Sequence, residues 1–431
     1  MPKPIAFAVA GAPVLHSASP RLFRAAFAGA GMDAAYTRLS VSSAQEAVRL
    51  ARAIGLRGLN VTAPFKEDMA RLCDSLDAAA AAVGAVNTVL VDELGLRGFN
   101  TDGEGTVGAL RAAGIEPTGK TVVVLSAGGA AKAAAYALVN AGAARVTILA
   151  RDAAKARAAA AATGSDAGPL NEAARRIQGA DILVSCLPPH ASRAASDCLR
   201  PGLGVLDANY HAPGLSLEAT ARGCVVARGG DWLVRQAERA FGIFMGIEAP
   251  AGAMAAAFDK PFPAFAGPAL VGFSGSGKSA VGPLLAALLG MELRDTDALA
   301  EAATGATVRE IFEQRGEAEF RCLERKAVAR AVGGKAVVAL GGGALLDAET
   351  LALVTSTCLT VWLWADPGIA GRRAAGGSRP LLDHGANATA LLEERMPGYL
   401  RAAELVVATD GDAPEAVAKR IEDEVRRAFT G

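Results

Sequence analysis

The sequence is poor in the residues that build metal centres and disulfide scaffolds. Its four histidines have no metal-ligand spacing, and its six cysteines are scattered without a CxxC pair. Lysine plus arginine and aspartate plus glutamate number 44 each, so the formal net charge is zero. This balance argues against a dedicated nucleic-acid binder and against attachment to anionic lipid. With no run of ~20 apolar residues and no signal-peptide block, we expect a soluble, cytoplasmic protein whose partners are neither nucleic acid nor membrane.

Aromatic residues are also few, at 5%, yet 52% of the 431 residues are hydrophobic. At about 150 residues per domain, this length predicts roughly three compact units. The apolar content comes largely from alanine, valine and leucine, a mix that suits helices packed on buried parallel strands. The sequence therefore predicts an α/β protein.

Apolar strand candidates alternate with amphipathic helices along the first 240 residues. Before residue 120, Ile5–Ala10 and Gly58–Val61 are examples of the strands, and the alternation predicts a βα-type sheet of its own. Beyond residue 120, four apolar runs predict successive parallel strands: Val122–Leu125, Val146–Leu149, Ile182–Ser185 and Val205–Asp207. Residues 259–268 contain three prolines, which remove backbone donors and disfavour helix, so a linker is predicted there.

Polar clusters stand at the ends of apolar runs in the first 105 residues. They are His16–Pro20, Asn60–Lys66, Gly84–Thr88 and Asn100–Gly103. Open α/β sheets bind ligands where their strands end, and these hydroxyls, amides, one ammonium and one carboxylate suit a small polyhydroxylated acid. Lys66 with Asp102 can also handle a proton in acid–base catalysis. Taken singly, the clusters are more typical of a helix start or a turn than of a binding site.

Taken together, the clusters resemble shikimate dehydrogenase over about residues 4–258. The patterns of that family are matched at Gly11–Pro13, His16–Pro20, Asn60–Lys66, Ala85–Thr88 and Asn100–Gly103. The resemblance implies that Ser17 and Ser19 hold the substrate carboxylate, and that Lys66 is the acid/base catalyst with Asp102 as its partner. It also implies further substrate contacts from Thr62, Asn87, Tyr210 and Gln236.

A glycine loop follows the predicted strand Val122–Leu125. Such loops let backbone N–H groups and a helix N-terminus approach a pyrophosphate, although an ordinary helix start fits this loop as well. Ser126 stands where the fingerprint has glycine. The resemblance implies cofactor contacts from the following residues: Ser126, Ala127, Gly128, Gly129, Ala130 and Gly229.

The end of the next predicted strand bears on the choice between NADP and NAD. Arg151 and Lys155 favour the ribose phosphate of NADP, whereas Asp152 adds a negative charge close by. The prediction is NADP, and a solvated charged turn is the other interpretation of these residues.

A second phosphate-binding signature, Gly272–Ser279, satisfies the pattern G-x-x-x-x-G-K-[ST] between a strand-like and a helix-like run. In such a loop the backbone N–H groups cradle the phosphates of ATP, Lys278 reaches the β and γ oxygens, and Ser279 ligates Mg²⁺. The predicted nucleotide contacts are Gly275, Ser276, Gly277, Lys278, Ser279 and Ala280.

The region beyond this loop resembles shikimate kinase over about residues 268–425. The residues that carry the resemblance are Asp295, Asp297, Arg321, Glu324, Gly341–Gly343, Arg379 and Arg395. The resemblance implies that Arg321, Arg395 and Gly342 bind the substrate carboxylate, with Glu324 holding Arg321 in place. Asp295 would help Ser279 to fix Mg²⁺. Phosphoryl transfer would fall to Lys278, to Asp297, which orients the attacking hydroxyl, and to Arg379 on a lid over the ATP phosphates.

These resemblances predict a fused enzyme for two consecutive steps: NADPH-dependent reduction of 3-dehydroshikimate to shikimate, and phosphorylation of shikimate by ATP. The predicted domains are a substrate domain at 1–105 with a return helix at about 232–258, a Rossmann-type NADP domain at 106–231, a linker at 259–268 and a P-loop kinase domain with a parallel sheet and lid at 269–431. Two alternatives stay open for the N-terminal half. In the first, this half is an NAD-dependent quinate/shikimate dehydrogenase. In the second, it is a catalytically inactive shikimate sensor that regulates the kinase.

Overall fold

The computed structural model describes residues 2–374 and 388–429. The chain divides into two compact units, one made of residues 1–20, 33–56 and 261–430 and the other of residues 21–32 and 57–260. Helices alternate with largely parallel strands in both, which confirms the predicted α/β class. Within the described ranges, every helix is too short or too polar to cross a bilayer. The domain limits proposed from the sequence stay a prediction.

The first unit contains seven strands among its described residues. They are β1 (Ile5–Gly11), β2 (Ala34–Ser40), β13 (Pro268–Val271), β14 (Glu292–Asp295), β15 (Ala336–Ala339), β16 (Leu359–Trp364) and β17 (Leu405–Ala408). Its helices are α2 (Ala44–Ile54), α13 (Lys278–Leu289), α14 (Thr296–Thr304), α15 (Val308–Ala331), α16 (Ala348–Thr357), α17 (Pro367–Ala374), α18 (Ala388–Ala402) and α19 (Pro414–Phe429).

The strands of the first unit pair in the order β14-β15-β13-β16-β17-β2-β1, each parallel to its neighbour. The prediction that the N-terminal strands form a sheet of their own is therefore wrong. Strand β2 pairs with β17, so that Leu39 lies opposite Val406 and Ser40 opposite Val407. The physical reason is that an edge strand presents a row of unpaired N–H and C=O groups, which a strand distant in sequence can satisfy.

The second unit contains the remaining strands and helices, and α1 (Ser19–Gly29) leads into it. Its strands are β3 (Gly58–Val61), β4 (Ser75–Leu76), β5 (Thr88–Asp92), β6 (Gly95–Phe99), β7 (Thr121–Leu125), β8 (Arg145–Ala150), β9 (Asp166–Pro169), β10 (Ile182–Ser185), β11 (Gly204–Asp207) and β12 (Val225–Ala227). Its other helices are α3 (Lys66–Leu72), α4 (Ala78–Val83), α5 (Asp102–Ala112), α6 (Gly129–Asn140), α7 (Ala153–Thr163), α8 (Ala173–Gln178), α9 (Pro189–Ser192), α10 (Gly214–Ala221), α11 (Gly229–Met245) and α12 (Ala253–Phe258).

A six-stranded parallel sheet, β12-β11-β10-β7-β8-β9, forms the core of the second unit. The four strands predicted from apolar runs are confirmed as β7, β8, β10 and β11. Successive side chains of a strand point to opposite faces: Val122 and Val124 pack in one hydrophobic cluster, and Val123 and Leu125 in another. Burial on both faces explains why β7 is a continuous apolar run. Strand β5 pairs antiparallel with β3 on one side and with β6 on the other.

Candidate active sites

Lys66 and Asp102 form the centre of a polar network in the second unit. Each is the first residue of a helix, α3 and α5 respectively, and follows a short segment after a strand. Lys66 Nζ lies 2.5 Å from Asp102 Oδ2, and the side chains are 17% and 0% exposed. A fully buried carboxylate is costly unless it is paired and hydrogen-bonded. The pair therefore suits acid–base chemistry, because the Asp102 carboxylate is shielded from water while the Lys66 ammonium is partly accessible.

Asn87 fixes the orientation of the Asp102 carboxylate. Its Nδ2 donates to Asp102 Oδ1 at 2.9 Å and to Gln236 Oε1 at 3.0 Å, while its Oδ1 accepts from the Thr101 backbone N at 2.9 Å. Trp232 Nε1 donates to the backbone oxygen of Asp102 at 2.9 Å. Asp102, Asn87, Gln236 and Lys66 are thus brought together, from four separate elements of the sequence.

The other predicted substrate residues of the dehydrogenase occupy different places. Thr62 directly follows β3, and its backbone oxygen accepts from Phe65 N at 3.1 Å. Tyr210 lies on the loop after β11, with its ring centroid 6.0 Å from that of Phe258 and 4.0 Å from that of His211. The Tyr210 ring thus packs against two other rings.

Ser17 lies between β1 and α1, and Ser19 is the first residue of α1; both belong to the first unit. Both are nearly buried, and the Ser17 hydroxyl donates to that of Ser19 at 3.2 Å. The Ser17 hydroxyl also accepts from the backbone N of Ser19 at 3.3 Å. The two hydroxyls therefore form one polar cluster, as binding of a single carboxylate would require.

Cys186 is a residue near Asp102 that the sequence analysis passed over. It directly follows β10. Burial raises the pKa of its thiol to about 12, and the neighbouring Asp102 carboxylate adds to the rise, while Lys66 opposes it. The thiol therefore stays protonated and unreactive at neutral pH. Its position behind a strand end was the only signal in the sequence.

Ser126 takes the backbone conformation that glycine has in the fingerprint. Its φ is 105°, the one positive value at a non-glycine residue among those described. Its hydroxyl accepts from the backbone N of Gly128 at 3.3 Å, and α6 begins at Gly129. The first N–H groups of a helix have no partner within the helix and attract anions. The loop geometry thus fits a pyrophosphate despite the serine, and Ala127 and Ala130 flank the two glycines.

In the charged turn after β8, the acidic residue and the two basic residues are placed differently. Asp152 is the N-cap of α7, where its Oδ1 accepts from Ala154 N at 2.9 Å and from Lys155 N at 3.0 Å. These backbone N–H groups hold the pKa of Asp152 below its usual value. Arg151 and Lys155 are exposed. The aspartate is engaged by its own helix, and the two cations face solvent, where a phosphate can reach them.

Gly229, at the start of α11, lies against backbone that leaves no room for a side chain. A Cβ there would approach within 2.7 Å of the Asp207 carbonyl oxygen and within 2.9 Å of the Asn209 carbonyl carbon. The glycine therefore lets α11 begin directly beside the end of β11.

The Gly272–Ser279 loop joins β13 to α13 in the first unit. Gly275 and Gly277 have φ values of 80° and 96°, so this backbone requires glycine. Lys278 is buried, and its Nζ donates to the carbonyl oxygens of Gly272 at 2.6 Å and of Phe273 at 3.1 Å. Ser279 and Ala280 lie in the first turn of α13. The hydroxyl of Ser276 is buried and has no partner among the described residues, a donor in place for a phosphate oxygen.

Three successive glycines after β15 lie directly against the side chains of the predicted kinase residues. A Cβ at Gly341 would collide with carboxylate oxygens of Glu324 and Asp297. At Gly342 it would lie 2.9 Å from Arg395 Nη1, and at Gly343 it would lie 2.7 Å from Arg321 Nη1. Charged groups from three helices therefore contact the loop Gly341–Gly343, which only glycine permits at this distance.

Glu324 and Arg321 form a buried ion pair beside this loop. Arg321 Nη1 lies 2.7 Å from Glu324 Oε2, because the residues are three apart on α15 and share a face. Burial raises the pKa of the Glu324 carboxyl above its usual value; Arg321 opposes the rise and Asp297 adds to it. The geometry agrees with Glu324 as the residue that holds Arg321.

Arg395, on α18, is 6% exposed and sits over the ring of Phe273 at 5.5 Å. Its Nε is buried without a hydrogen-bond partner among residues 2–374 and 388–429. A buried guanidinium donor that lacks a partner is costly unless a ligand satisfies it. Tyr399, one turn later, donates from its hydroxyl to the Gly342 carbonyl oxygen at 2.6 Å, a contact that no motif indicated.

Asp295 is the N-cap of α14, and its Oδ1 accepts from Asp297 N at 2.9 Å. The intervening Thr296 is fully buried and accepts, through Oγ1, from Gly341 N at 2.9 Å. Thr296 thereby joins the start of α14 to the glycine loop, a role that the spacing of the two aspartates alone does not reveal. Arg379, the predicted lid residue, lies outside the described residues.

Comparison with known proteins finds matches to the N-terminal part of the chain. Residues 9–89 match the family model "Shikimate dehydrogenase substrate binding domain", and residues 109–194 match "Shikimate / quinate 5-dehydrogenase". The chain is 37% identical over 272 residues to the shikimate dehydrogenase (NADP(+)) of Moorella thermoacetica, which covers 57% of this chain and 90% of the relative. The chain belongs to the shikimate dehydrogenase family.

A second curated shikimate dehydrogenase (NADP(+)), from Rubrobacter xylanophilus, is 40% identical over 263 residues, or 57% of this chain and 92% of the relative. A solved shikimate 5-dehydrogenase from Thermus thermophilus, in complex with NADP(H) and shikimate, is 33% identical with a TM-score of 0.54. The match covers 59% of this chain and 98% of the solved one. Beyond the part shared with these relatives, this chain also has a kinase part: residues 274–426 match the family model "Shikimate kinase".

Proposed function

We propose that this chain catalyses two consecutive reactions, the NADPH-dependent reduction of 3-dehydroshikimate to shikimate and the ATP-dependent phosphorylation of shikimate. The observation that carries the proposal is that one chain matches two shikimate dehydrogenase models and a shikimate kinase model without overlap. The product of the first reaction is the substrate of the second, so the two parts act on one small carboxylated polyol.

In the reduction, NADPH supplies the hydride that turns a carbonyl carbon into an alcohol. The carbonyl oxygen then needs a proton, and Lys66 is the donor that the geometry favours, because its ammonium is partly accessible and is held by Asp102. Asn87 and Gln236 would bind neighbouring hydroxyls through amide groups already oriented by the network. Ser17 and Ser19 would bind the carboxylate, and Thr62 and Tyr210 would contact the ring.

The cofactor contacts follow from the loop after β7 and the turn after β8. Backbone N–H groups of residues 127–130, at the start of α6, would bind the pyrophosphate. Arg151 and Lys155 would bind the ribose phosphate, since the Asp152 carboxylate is already hydrogen-bonded to N–H groups at the start of α7. Gly229 would complete the cofactor site beside β11.

In the phosphorylation, Lys278 and the N–H groups of Gly275–Ala280 would bind the ATP phosphates. Ser279 and Asp295 would hold Mg²⁺, which takes oxygen ligands and keeps several waters when it arrives with a nucleotide, so one hydroxyl and one carboxylate suffice. Arg321, Arg395 and Gly342 would bind the shikimate carboxylate, with Asp297 orienting the attacking hydroxyl. Arg379 would act from the lid.

A coupled assay on the purified full chain tests the proposal. We expect NADPH oxidation when 3-dehydroshikimate is added, and ADP release that requires 3-dehydroshikimate, NADPH and Mg-ATP together. Shikimate alone should restore ADP release without NADPH. No NADPH oxidation by a chain that still binds shikimate would instead indicate a sensor. Faster turnover of quinate with NAD would indicate the quinate/shikimate type.

We also propose that the enzyme acts in the cytoplasm on small-molecule substrates alone. NADPH and ATP are both available there, and all six cysteines of the chain are free in the structure, as in a reducing compartment.

A further inference from the structure

Glu424, on α19, is 3% exposed and binds the segment that carries Ser17 and Ser19. Its Oε2 accepts from the backbone N of Val14 at 2.9 Å and of Leu15 at 2.8 Å, and its Oε1 accepts from the Ser40 hydroxyl at 2.8 Å. A buried carboxylate with three donors is a well-satisfied site, and removing it leaves buried N–H groups without a partner.

The segment from Val14 to Ser19 is compact, so the position of its first residues fixes the position of its last. The backbone N of Ser17 donates to the Val14 carbonyl oxygen at 2.9 Å. The Ser17 hydroxyl in turn accepts from the backbone N of Ser19. Two consecutive hydrogen bonds therefore connect the Glu424 carboxylate to Ser17. The Val14 backbone N donates to Glu424, and the Ser17 backbone N donates to the Val14 carbonyl oxygen.

A second buried contact holds the same segment from β2. The guanidinium of Arg38 donates to the Ser17 carbonyl oxygen, at 2.8 Å from Nη2 and 3.2 Å from Nε. Its Nη1 lies 2.6 Å from Glu404 Oε2, and the Arg38 side chain is 3% exposed. Glu404 directly precedes β17, the strand that pairs with β2.

Both carboxylates come from the part of the chain that matches shikimate kinase, residues 274–426, whereas the segment they hold lies in the match to the dehydrogenase model, residues 9–89. The two curated relatives reported above match only 57% of this chain, yet that match takes up at least 90% of their own length. They are therefore too short to include a counterpart of the kinase part, which supplies Glu424 and Glu404. The contact belongs to this fused chain.

We propose that Glu424 is a positioning residue for the dehydrogenase: from the kinase part, it holds the Val14–Ser19 segment in the conformation in which Ser17 and Ser19 bind the substrate carboxylate. The proposal rests on the proposed function, because it takes the role of Ser17 and Ser19 from there. Glu424 touches no reacting group, so its loss should weaken substrate binding and leave the chemical step intact.

Glu424→Ala in the full-length chain is the test, with Glu422→Ala as its matched control. Glu422 is equally buried on the same helix, but its carboxylate pairs with Lys419 and Arg426 of α19 itself. For Glu424→Ala we expect the KM for 3-dehydroshikimate to rise ~10-fold, because the buried amides that hold the segment lose their acceptor. The dehydrogenase kcat, the KM for NADPH and both kinase constants should stay as in the parent. Glu424→Gln, which keeps an acceptor oxygen, should recover part of the loss.

The outcomes separate a positioning role from a structural one. An unchanged KM for 3-dehydroshikimate, or an equal loss in both activities with a lowered Tm, overturns the proposal. Ser17→Ala distinguishes failure of the inference from failure of the proposed function. If Ser17→Ala raises that KM and Glu424→Ala does not, only the inference fails; if Ser17→Ala has no effect, the proposed role of Ser17 fails as well.

Discussion

The dehydrogenase and kinase sites differ in how their charges are balanced before a ligand binds. Lys66 has its counter-charge in Asp102, and Asn87 already satisfies the other oxygen of that carboxylate. In the kinase site, the Arg395 Nε and the Ser276 hydroxyl are buried without a partner among the described residues. The first arrangement suits proton transfer within the protein, and the second suits ligands that bring negative charge. Loss of Lys66 should therefore appear mainly in the dehydrogenase kcat, and loss of the Arg395 guanidinium mainly in the KM for shikimate.

Of the variants that test this difference between the two sites, Lys66→Met has the largest expected effect. Removing the proton donor should lower the dehydrogenase kcat by about 10²- to 10⁴-fold, the usual contribution of general acid–base catalysis. The measurement is NADPH oxidation at saturating 3-dehydroshikimate. ADP release from shikimate and ATP in the same preparation is the control and should be unchanged. A loss confined to KM would show that Lys66 binds substrate and does not deliver the proton.

Arg395→Lys should affect the kinase in the opposite parameter. Lysine keeps the charge but cannot form the forked pair of hydrogen bonds that a carboxylate accepts from arginine. Losing a charge-assisted hydrogen bond, worth about 1.5–3 kcal/mol, should raise the KM for shikimate by roughly 10- to 150-fold with a smaller change in kcat.

Arg325→Lys is the matched control for that variant, because Arg325 pairs with the partly exposed Asp347 and is not one of the predicted substrate residues. It should leave the KM for shikimate unchanged. Equal effects of the two substitutions, or an Arg395→Lys effect seen only in kcat, would remove the distinction between the sites.

Ser126→Gly is the smallest expected effect and sharpens the comparison within the dehydrogenase part. Holding a serine at a φ of 105° costs about 1–3 kcal/mol, and glycine removes that cost while losing about 0.5–1 kcal/mol to its greater freedom in the unfolded chain. Thermal unfolding should show a Tm higher by a few degrees. Ser126→Ala keeps the strained backbone and should give no such gain; a gain there would assign the effect to the hydroxyl.

Much of the fold and the motif residues could be predicted from the sequence, because buried parallel strands are continuous apolar runs and phosphate loops need glycine at fixed spacing. Lys66 and Asp102 come a few residues after strands and Asn87 directly precedes one, at strand ends of the kind where an α/β sheet places ligands. The N-cap roles of Asp152 and Asp295 also follow from local rules, since each precedes a helix.

The pairing of β2 with β17 had no such local signal. A strand edge carries the same backbone groups whatever its sequence, so the partner of Leu39 is decided by tertiary packing. For the same reason, the sequence has no signal that distinguishes Glu424 from the other charged residues of its helix. Its function depends on the amides of Val14 and Leu15, which lie 410 and 409 positions away in the sequence.

The β2–β17 pair also determines how separable the two activities are. The peptide around residues 259–268 joins the dehydrogenase and kinase parts covalently, and the β2–β17 pair joins them through backbone hydrogen bonds as well. If the chain were divided at the predicted linker and the two parts separated, β2 and β17 would each expose a row of unpaired backbone groups, which favours aggregation.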